Sequence, residues 1–345
     1  MIDLLTIGDA DIDLYMKIAD NNELSGTDMN GEPRICFYHG TKIPVEHFET
    51  AIAGNSLNVG VSCTQLGLKT ALYTELGDDS DGQRIISELQ ERGVDTRYCV
   101  KNSGKPTNVH SVIVYGGERT IFSYHERRNY KVMDWETPKW IYYSSMGYGF
   151  EEFQCQLMSY FKSPKGKDVG VAFNPGTIQL KEGLESFKEF LGYTDVLFLN
   201  MEEAQNMLGK YDIKRLHDEL HKLGVKLSVI TEGKDGASAS DGCMLVHVPI
   251  YSDERPILDK TGAGDAFAAG FLAAVFYGKN IKEALQWGAI NSGSCVKAIG
   301  ATKGILTKTA IEETVKGLCC VQDKANTHYG IHQRGTKEKE AVTPC

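Results

Sequence analysis

Short apolar, β-branched runs alternate with amphipathic helical stretches along most of this 345-residue chain, and this rhythm restricts the fold more than any other feature. A chain written this way builds βαβ units around a parallel sheet. Strands are expected at 4–7, 71–75, 140–144, 169–174, 196–200 and 227–231, and helices at 56–66, 82–92, 149–161, 202–208 and 213–223. The predicted fold is α/β, a doubly wound and mostly parallel sheet flanked by helices.

Two stretches break the rhythm. Residues 108–125 alternate apolar and polar around Gly116-Gly117, a pair that favours a two-residue hairpin. Residues 11–46 hold β-like pieces, LYMKI and ICFYHG, around a polar, turn-rich segment at 21–33. Together they predict a small antiparallel sheet over one edge of the main domain, a lid made of about 11–46 and 108–128. Apolar periodicity ends near Leu318, so the organisation expected is one domain over 1–318 and a mobile tail over 319–345.

A net charge of −9 argues against a nucleic-acid or anionic-membrane partner, since both need clustered positive charge; an anionic cofactor then needs a local positive site. The acidic start reads as a strand, so no secretory leader is expected. The longest apolar stretch, 266–277, is too short to span a bilayer of ~30 Å. Nine cysteines without a Cys-x-x-Cys pair fit a reducing, cytoplasmic setting.

The strongest local signal is DKTGAGDAFAAGFLAAVF, residues 259–276. Gly262 and Gly264 permit a tight turn, and the apolar run after them is a helix whose positive end faces it. Backbone donors at Gly262, Ala263 and Gly264 therefore make an anion hole, suited to charge developing on a transferred phosphoryl group. Asp265, in the first helical turn, is the expected general base. The helix dipole there favours ionisation, so a depressed pKa is expected.

The run D-x-T-G-A-G-D-A-F closely resembles the C-terminal signature of the ribokinase-like, or PfkB, carbohydrate kinase family. AGNSLNVGVSCTQLGLKTALYTELGDDSDG, residues 53–82, resembles that family's first signature, with Ala53 in place of its first glycine. The resemblance extends over about residues 1–316. It implies an ATP-dependent kinase acting on a hydroxyl of a small sugar, with a nucleoside as the alternative acceptor. A catalytically silent binding protein is the reading from outside enzymology.

Gly54 lets the backbone approach a polyol and Asn58 offers a donor and an acceptor. Asp13, in IGDADID, resembles the aspartate that grips sugar hydroxyls; alternation sets Asp9, Asp11 and Asp13 on one face. On the cofactor side, Asn200 and Glu203 resemble an Asn-x-x-Glu motif that places Mg²⁺ through water. Thr231, Gly233 and Gly236 resemble a Thr-x-Gly-x-x-Gly loop at the ATP phosphates. The helix around Asn291 is implied to line the adenine site. Asp259 and Thr261 resemble positions near a monovalent cation, which makes K⁺ activation an expectation beside ATP and Mg²⁺. Arg119, Arg127 and Arg128 are candidates for an acidic group on the acceptor, Phe122 and Tyr124 for stacking on a base. The lid's exposed faces suggest a homodimer.

Overall fold

The computed structural model describes residues 1–19, 25–27, 33–116 and 118–327. Nine strands form one sheet in the spatial order Leu245–Val248, Ala237–Ser240, Leu227–Thr231, Val196–Asn200, Gly170–Phe173, Trp140–Tyr143, Leu4–Ile7, Thr70–Gly77, Asp95–Asn102. The six expected strands are its contiguous parallel centre, and Asp95–Asn102 extends it in parallel. The two strands at the opposite edge are antiparallel.

Central strands buried on both faces need apolar side chains at every position, and neighbouring residues take opposite sides. Tyr143 packs with Tyr73, Phe153, Phe173 and Phe190 on one face. Tyr142 joins Leu4, Phe198, Phe271 and Trp287 on the other. Tyr143 stacks on Phe173 with ring centroids 5.1 Å apart. Each such fully buried side chain contributes about 1.5–3 kcal/mol.

The expected helices form as Asn55–Gln65, Ser80–Glu91, Phe150–Lys162, Met201–Leu208 and Ile213–Lys222. Two more, Ala263–Phe276 and Ile281–Cys295, pack on the second face. The stretch at 266–277 thus lies in a buried helix, as expected, and no helix among the described residues is long and apolar enough to cross a membrane.

The lid is a four-stranded sheet in the order Val45–Ala53, Asp11–Ile18, Asn108–Tyr115, Glu118–Tyr124. Its hairpin pairs Tyr115 with Glu118, which leaves the expected two-residue turn at 116–117; Gly117 lies outside the described residues. Two features differ from expectation. The central pair, Asp11–Ile18 with Asn108–Tyr115, is parallel, because the chain passes through the main sheet between them. The fourth strand is VEHFETAIA rather than ICFYHG, so the lid reaches Ala53 instead of ending near Glu46. Pro33–Ile35 forms only a short ribbon with Ser25–Thr27. VEHFETAIA pairs over eight residues with Asp11–Ile18, and only its end, Ile52 and Ala53, is buried. Most of the segment at 21–33 lies outside the described residues.

At the C-terminus, helix Lys308–Thr327 continues nine residues past the loss of apolar periodicity. The rest of the expected tail lies outside the described residues.

Candidate active site

Strands of the parallel sheet end along one crevice, the place where open α/β sheets collect ligands. Asn174, Asn200 and Thr231 follow or close three of these strands and line a cleft of about 400 Å³ with Glu203 and the loop 260–265. Gly262 sits in the left-handed region (φ +74°), and a Cβ there would come 2.5 Å from the Ala301 Cβ. Only glycine makes this turn. Space beside Gly264 is open. The Ala263 N–H turns back to the Lys260 carbonyl (3.3 Å), and the helical ladder begins with Ala266 N–H on the Gly262 carbonyl (2.8 Å). The donors at Gly264 and Asp265 therefore precede the first helical bond, where a helix end attracts anions.

Asp265 is buried at the cleft floor. Its Oδ1 accepts from the Asn55 amide at 3.0 Å and its Oδ2 from the Asn58 amide at 2.9 Å. The two asparagines are one helical turn apart, so one helix start grips both carboxylate oxygens. The depressed pKa expected from the helix dipole is corrected here. Burial, with the Glu203 charge adding to it, outweighs the two amide bonds and pushes the carboxyl up to about 6. Asn58 has a further feature: its Oδ1 is buried without a hydrogen-bond partner. Flipping the amide would set oxygen against carboxylate, so this orphan acceptor stands beside Asp265.

Asn200 and Glu203 form a reciprocal cap on helix Met201–Leu208, with each side chain accepting the other's backbone N–H at 2.8 Å. Burial raises the Glu203 pKa, helped by the Glu202 charge. A carboxyl so placed, near a second raised one at Asp265, is relieved by a hydrated divalent cation in the cleft. The residues fit Mg²⁺ in that sense.

The other expected cation pair is already engaged. Although burial opposes it, Asp259 is held below the usual carboxylate range by hydrogen bonds from Thr261 (N at 2.9 Å, Oγ1 at 2.5 Å) and Gly300 N (2.9 Å) and by the Arg119 charge. Arg119 Nη1 lies 3.4 Å from Asp259 Oδ1 and also contacts Thr261. The charge that a potassium ion would supply there comes from the lid, and these residues do not fit a further cation.

Next to the phosphate loop lies a more apolar cavity of about 510 Å³, bordered by Gly233, Gly236, Tyr251, Ala289, Ser292 and Gly293 among others. Thr231, Ala263 and Gly264 border both spaces. Lys234, Lys260 and Lys297 line this cavity too, a local positive site in a chain of net charge −9. Asn291, expected at the adenine site, does not line this cavity. It is fully buried, donates to Ser62 Oγ (3.1 Å) and the Ala266 carbonyl (2.8 Å), and accepts from Leu306 N–H (3.0 Å). It ties three elements together, while Ala289, Ser292 and Gly293 of its helix face the cavity.

On the lid side of the same cleft, Asp9, Asp11 and Asp13 are all buried, and the Tyr15 hydroxyl stands between Asp13 and Thr261. Asp9 is saturated by Tyr130 Oη (2.7 Å) and Gly147 N (2.9 Å). Gly54, at φ +121°, packs against it so closely that a Cβ would stand 2.4 Å from the Asp9 carbonyl. Asp13 accepts from Tyr15 Oη (3.0 Å) and lies 3.4 Å from His110 Nδ1, which is 3.5 Å from Asp11. Burial opposes protonation of His110, but the Asp13 and Asp11 carboxylates hold its pKa up. Asp11 Oδ1 has no hydrogen-bond partner, and burial pushes this carboxyl up to about 7.

The match to the family model described as pfkB family carbohydrate kinase runs over residues 21–308. The chain belongs to this family. Among curated relatives, an ATP-dependent 6-phosphofructokinase from Thermoanaerobacterium thermosaccharolyticum is 24% identical, the match covering 76% of this chain and 84% of the relative. A ribokinase from Bacillus subtilis is 26% identical, over 77% and 88%. Among solved structures, the nucleoside kinase of Methanocaldococcus jannaschii superposes with a TM-score of 0.72 at 18% identity, covering 92% of this chain and 99% of that one, a likeness of fold.

Within this pfkB kinase, the cleft brings Asp265, the 262–264 turn, Asn200, Glu203 and Thr231 together, with Gly233 and Gly236 in the adjoining cavity. The sequence did not point to Asn55, Lys260 or His110, and it pointed Arg119 to an acidic acceptor rather than to Asp259. Asn55 had a signal, the i, i+3 spacing to Asn58 just after the glycine. His110 had none, because its partners follow from lid register.

Proposed function

We propose that this kinase transfers the γ-phosphoryl group of ATP to a hydroxyl of a small sugar, with Asp265 taking the hydroxyl's proton. The observation that carries this is the Asp265 carboxylate itself, gripped by Asn55 and Asn58 at the start of a helix, with open space at Gly264 beside it. A base with a pKa near 6 is largely ionised at neutral pH and still basic enough to receive a proton late in the transfer. The Gly264 and Asp265 N–H groups and Lys260 hold the phosphates, and the apolar cavity at 289–293 takes the adenine. Glu203, with Asn200 beside it, would hold a hydrated Mg²⁺, which would supply positive charge to the phosphate oxygens. Asn58, one turn on from Asn55, steadies the Asp265 carboxylate beside the acceptor hydroxyl.

Asp13, with Asp11 and His110, grips further hydroxyls. A polyol suits this acid-rich end better than a base does. The aromatic side chains that could stack on a base point elsewhere: Phe122 and Tyr124 alternate with the cleft-lining Arg119 and Ile121 and are largely exposed. Those aromatics, with Phe48 at 61% exposure, form an outward apolar face that suits a homodimer through the lids; sedimentation as a monomer at micromolar concentration would remove it. Free thiols at Cys36, Cys63, Cys99, Cys155, Cys243 and Cys295 suit a reducing cytoplasm.

The test is a panel of ribose, fructose, fructose 6-phosphate, 2-keto-3-deoxygluconate and adenosine, with ADP release as the readout. Turnover confined to sugars is expected. Turnover of adenosine alone would shift the assignment to a nucleoside kinase, and binding of ATP and a sugar without any turnover would reduce the chain to a binding protein.

A further inference from the structure

We propose that a cavity over Arg128, outside the phosphate cleft, is a binding site for an anionic oxo group, a carboxylate or a phosphate borne by a polyhydroxy compound. Arg128 follows the lid hairpin and is only 4% exposed. Its Nη2 donates to the Pro106 carbonyl at 2.5 Å, but its Nε and Nη1 are sealed from solvent without a hydrogen-bond partner. A guanidinium never sheds its proton, so these donors stay charged and unsatisfied unless an anion meets them. The Arg128 side chain lines a cavity of about 490 Å³ together with Arg127, Tyr148, Gly149, Glu151 and Glu182.

A second observation points to the same place. Helix Phe150–Lys162, 13 residues long, begins at this cavity from Gly149, whose φ is +99° and which has no side-chain cap. Its first N–H groups and its dipole favour an anion in the same space that Arg128 faces. Neither Arg127 nor Arg128 makes an ion pair among the described residues. The acids whose charge reaches Arg128 are committed elsewhere: Asp79 to Gly82 N and Thr107, Glu126 to Tyr124 and Lys105.

Glu151 and Glu182 set the remaining chemistry. On the cavity wall they disfavour a bare dianion but accept from hydroxyls, so the ligand that satisfies all the groups carries both. Position suggests its use. Gly147, two residues before Gly149, donates to Asp9 of the acid cluster, which places the cavity next to the proposed acceptor pocket. Only this last step rests on the assignment of Asp13 to the acceptor; anion binding stands without it.

The test is isothermal titration of the full chain with inorganic phosphate, the ATP cleft being filled beforehand with a non-hydrolysable ATP analogue and Mg²⁺. Saturable binding at one equivalent is expected, weakened at least tenfold in Arg128→Gln and strengthened several-fold in Glu151→Gln. Should Arg128→Gln fail to fold, Arg127→Ala removes the exposed neighbour and is expected to weaken binding three- to tenfold. No phosphate binding with the analogue in place, or binding equal in all variants, would overturn the proposal. The source of the anion is then read from ribose 5-phosphate and 2-keto-3-deoxygluconate against ribose. If the Arg127→Ala change raises KM only for the anionic compounds, the group belongs to the acceptor. If they displace phosphate but are never turned over, it belongs to a separate effector, and either result supports the site. Because the titration needs no turnover, it fails independently of the kinase assignment.

Discussion

On the phosphate side of the cleft the chemistry comes largely from one continuous stretch, 259–265, in which glycine turn, helix start and carboxylate follow one another along the chain. On the acid-rich side it is assembled from separate strands, Asp11 and Asp13 from one and His110 from another 97 residues on. The contrast is sharpest between two buried carboxyls. Asp265 has both oxygens bonded by amides and is pushed up to about 6. Asp11 has an oxygen with no hydrogen bond, only His110 Nδ1 at 3.5 Å, and is pushed up to about 7. The first is a preorganised base that needs nothing but its substrate. The second is an unfinished site, whose cost to the fold is relieved only when a ligand donates to it.

The largest effect should come from the finished carboxyl. Asp265→Asn keeps shape and burial but cannot take a proton, so kcat should fall by about 10²–10⁴-fold while the dissociation constant for ATP changes little. Equilibrium binding and single-turnover rates check both halves. Wild-type-like turnover would break the comparison at its root.

Next is the grip on that base. In the wild type, kcat should rise with pH through about 6 and level off above, since the carboxyl must be ionised to act. Asn58→Ala removes one donor to the charged form, so the Asp265 pKa should climb further, by roughly one unit. The acid limb of the pH profile then moves to higher pH, and the loss of kcat is larger at pH 6 than at pH 8. A loss equal at both would assign Asn58 to substrate binding alone.

Asp11 calls for a stability measurement. In the unfolded chain its carboxyl titrates near ~3.9, whereas in the fold it holds its proton until about 7. Between those values the unfolded state is ionised first, so Asp11 makes the fold less stable as pH rises, and the penalty is complete above 7. Asp11→Asn should therefore melt like the wild type near pH 4 and be stabilised, by roughly 1–4 kcal/mol, at pH 8. A pH-independent difference would show that Asp11 is satisfied after all.

The same contrast explains what the sequence could reveal. Main-chain constraints travel with the residue: Gly262 cannot be replaced at φ +74° against Ala301, so the turn and the base after it were legible, as was the alternation that makes the central sheet. Side-chain partners across elements were not. Asn291 and Ser292 are adjacent on one helix, yet one is buried among three elements and the other lines a cavity; helix phase within one residue is not written in composition. The Asp265 pKa was misjudged because the helix dipole is local, whereas the burial that outweighs it depends on packing from elsewhere in the fold. Arg119 was legible as a lid cation, but its pairing with Asp259 needed the fold.

That pairing gives the smallest expected effect. Asp259 and Thr261 look from sequence like part of a monovalent-cation site, but Arg119 already stands 3.4 Å from the carboxylate. A second cation would have to displace a tethered guanidinium, which loses less freedom on binding than a free ion does. Rates in sodium-only and potassium buffers should then be equal. Arg119→Gln removes the tethered charge and leaves Asp259, still bonded by Thr261 and Gly300, facing the cleft uncompensated; that variant should turn over more slowly and recover part of its rate when sodium is replaced by potassium. Potassium activation of the wild type instead would mean that Arg119 leaves Asp259 when ATP binds, and the lid contact would belong only to the empty enzyme.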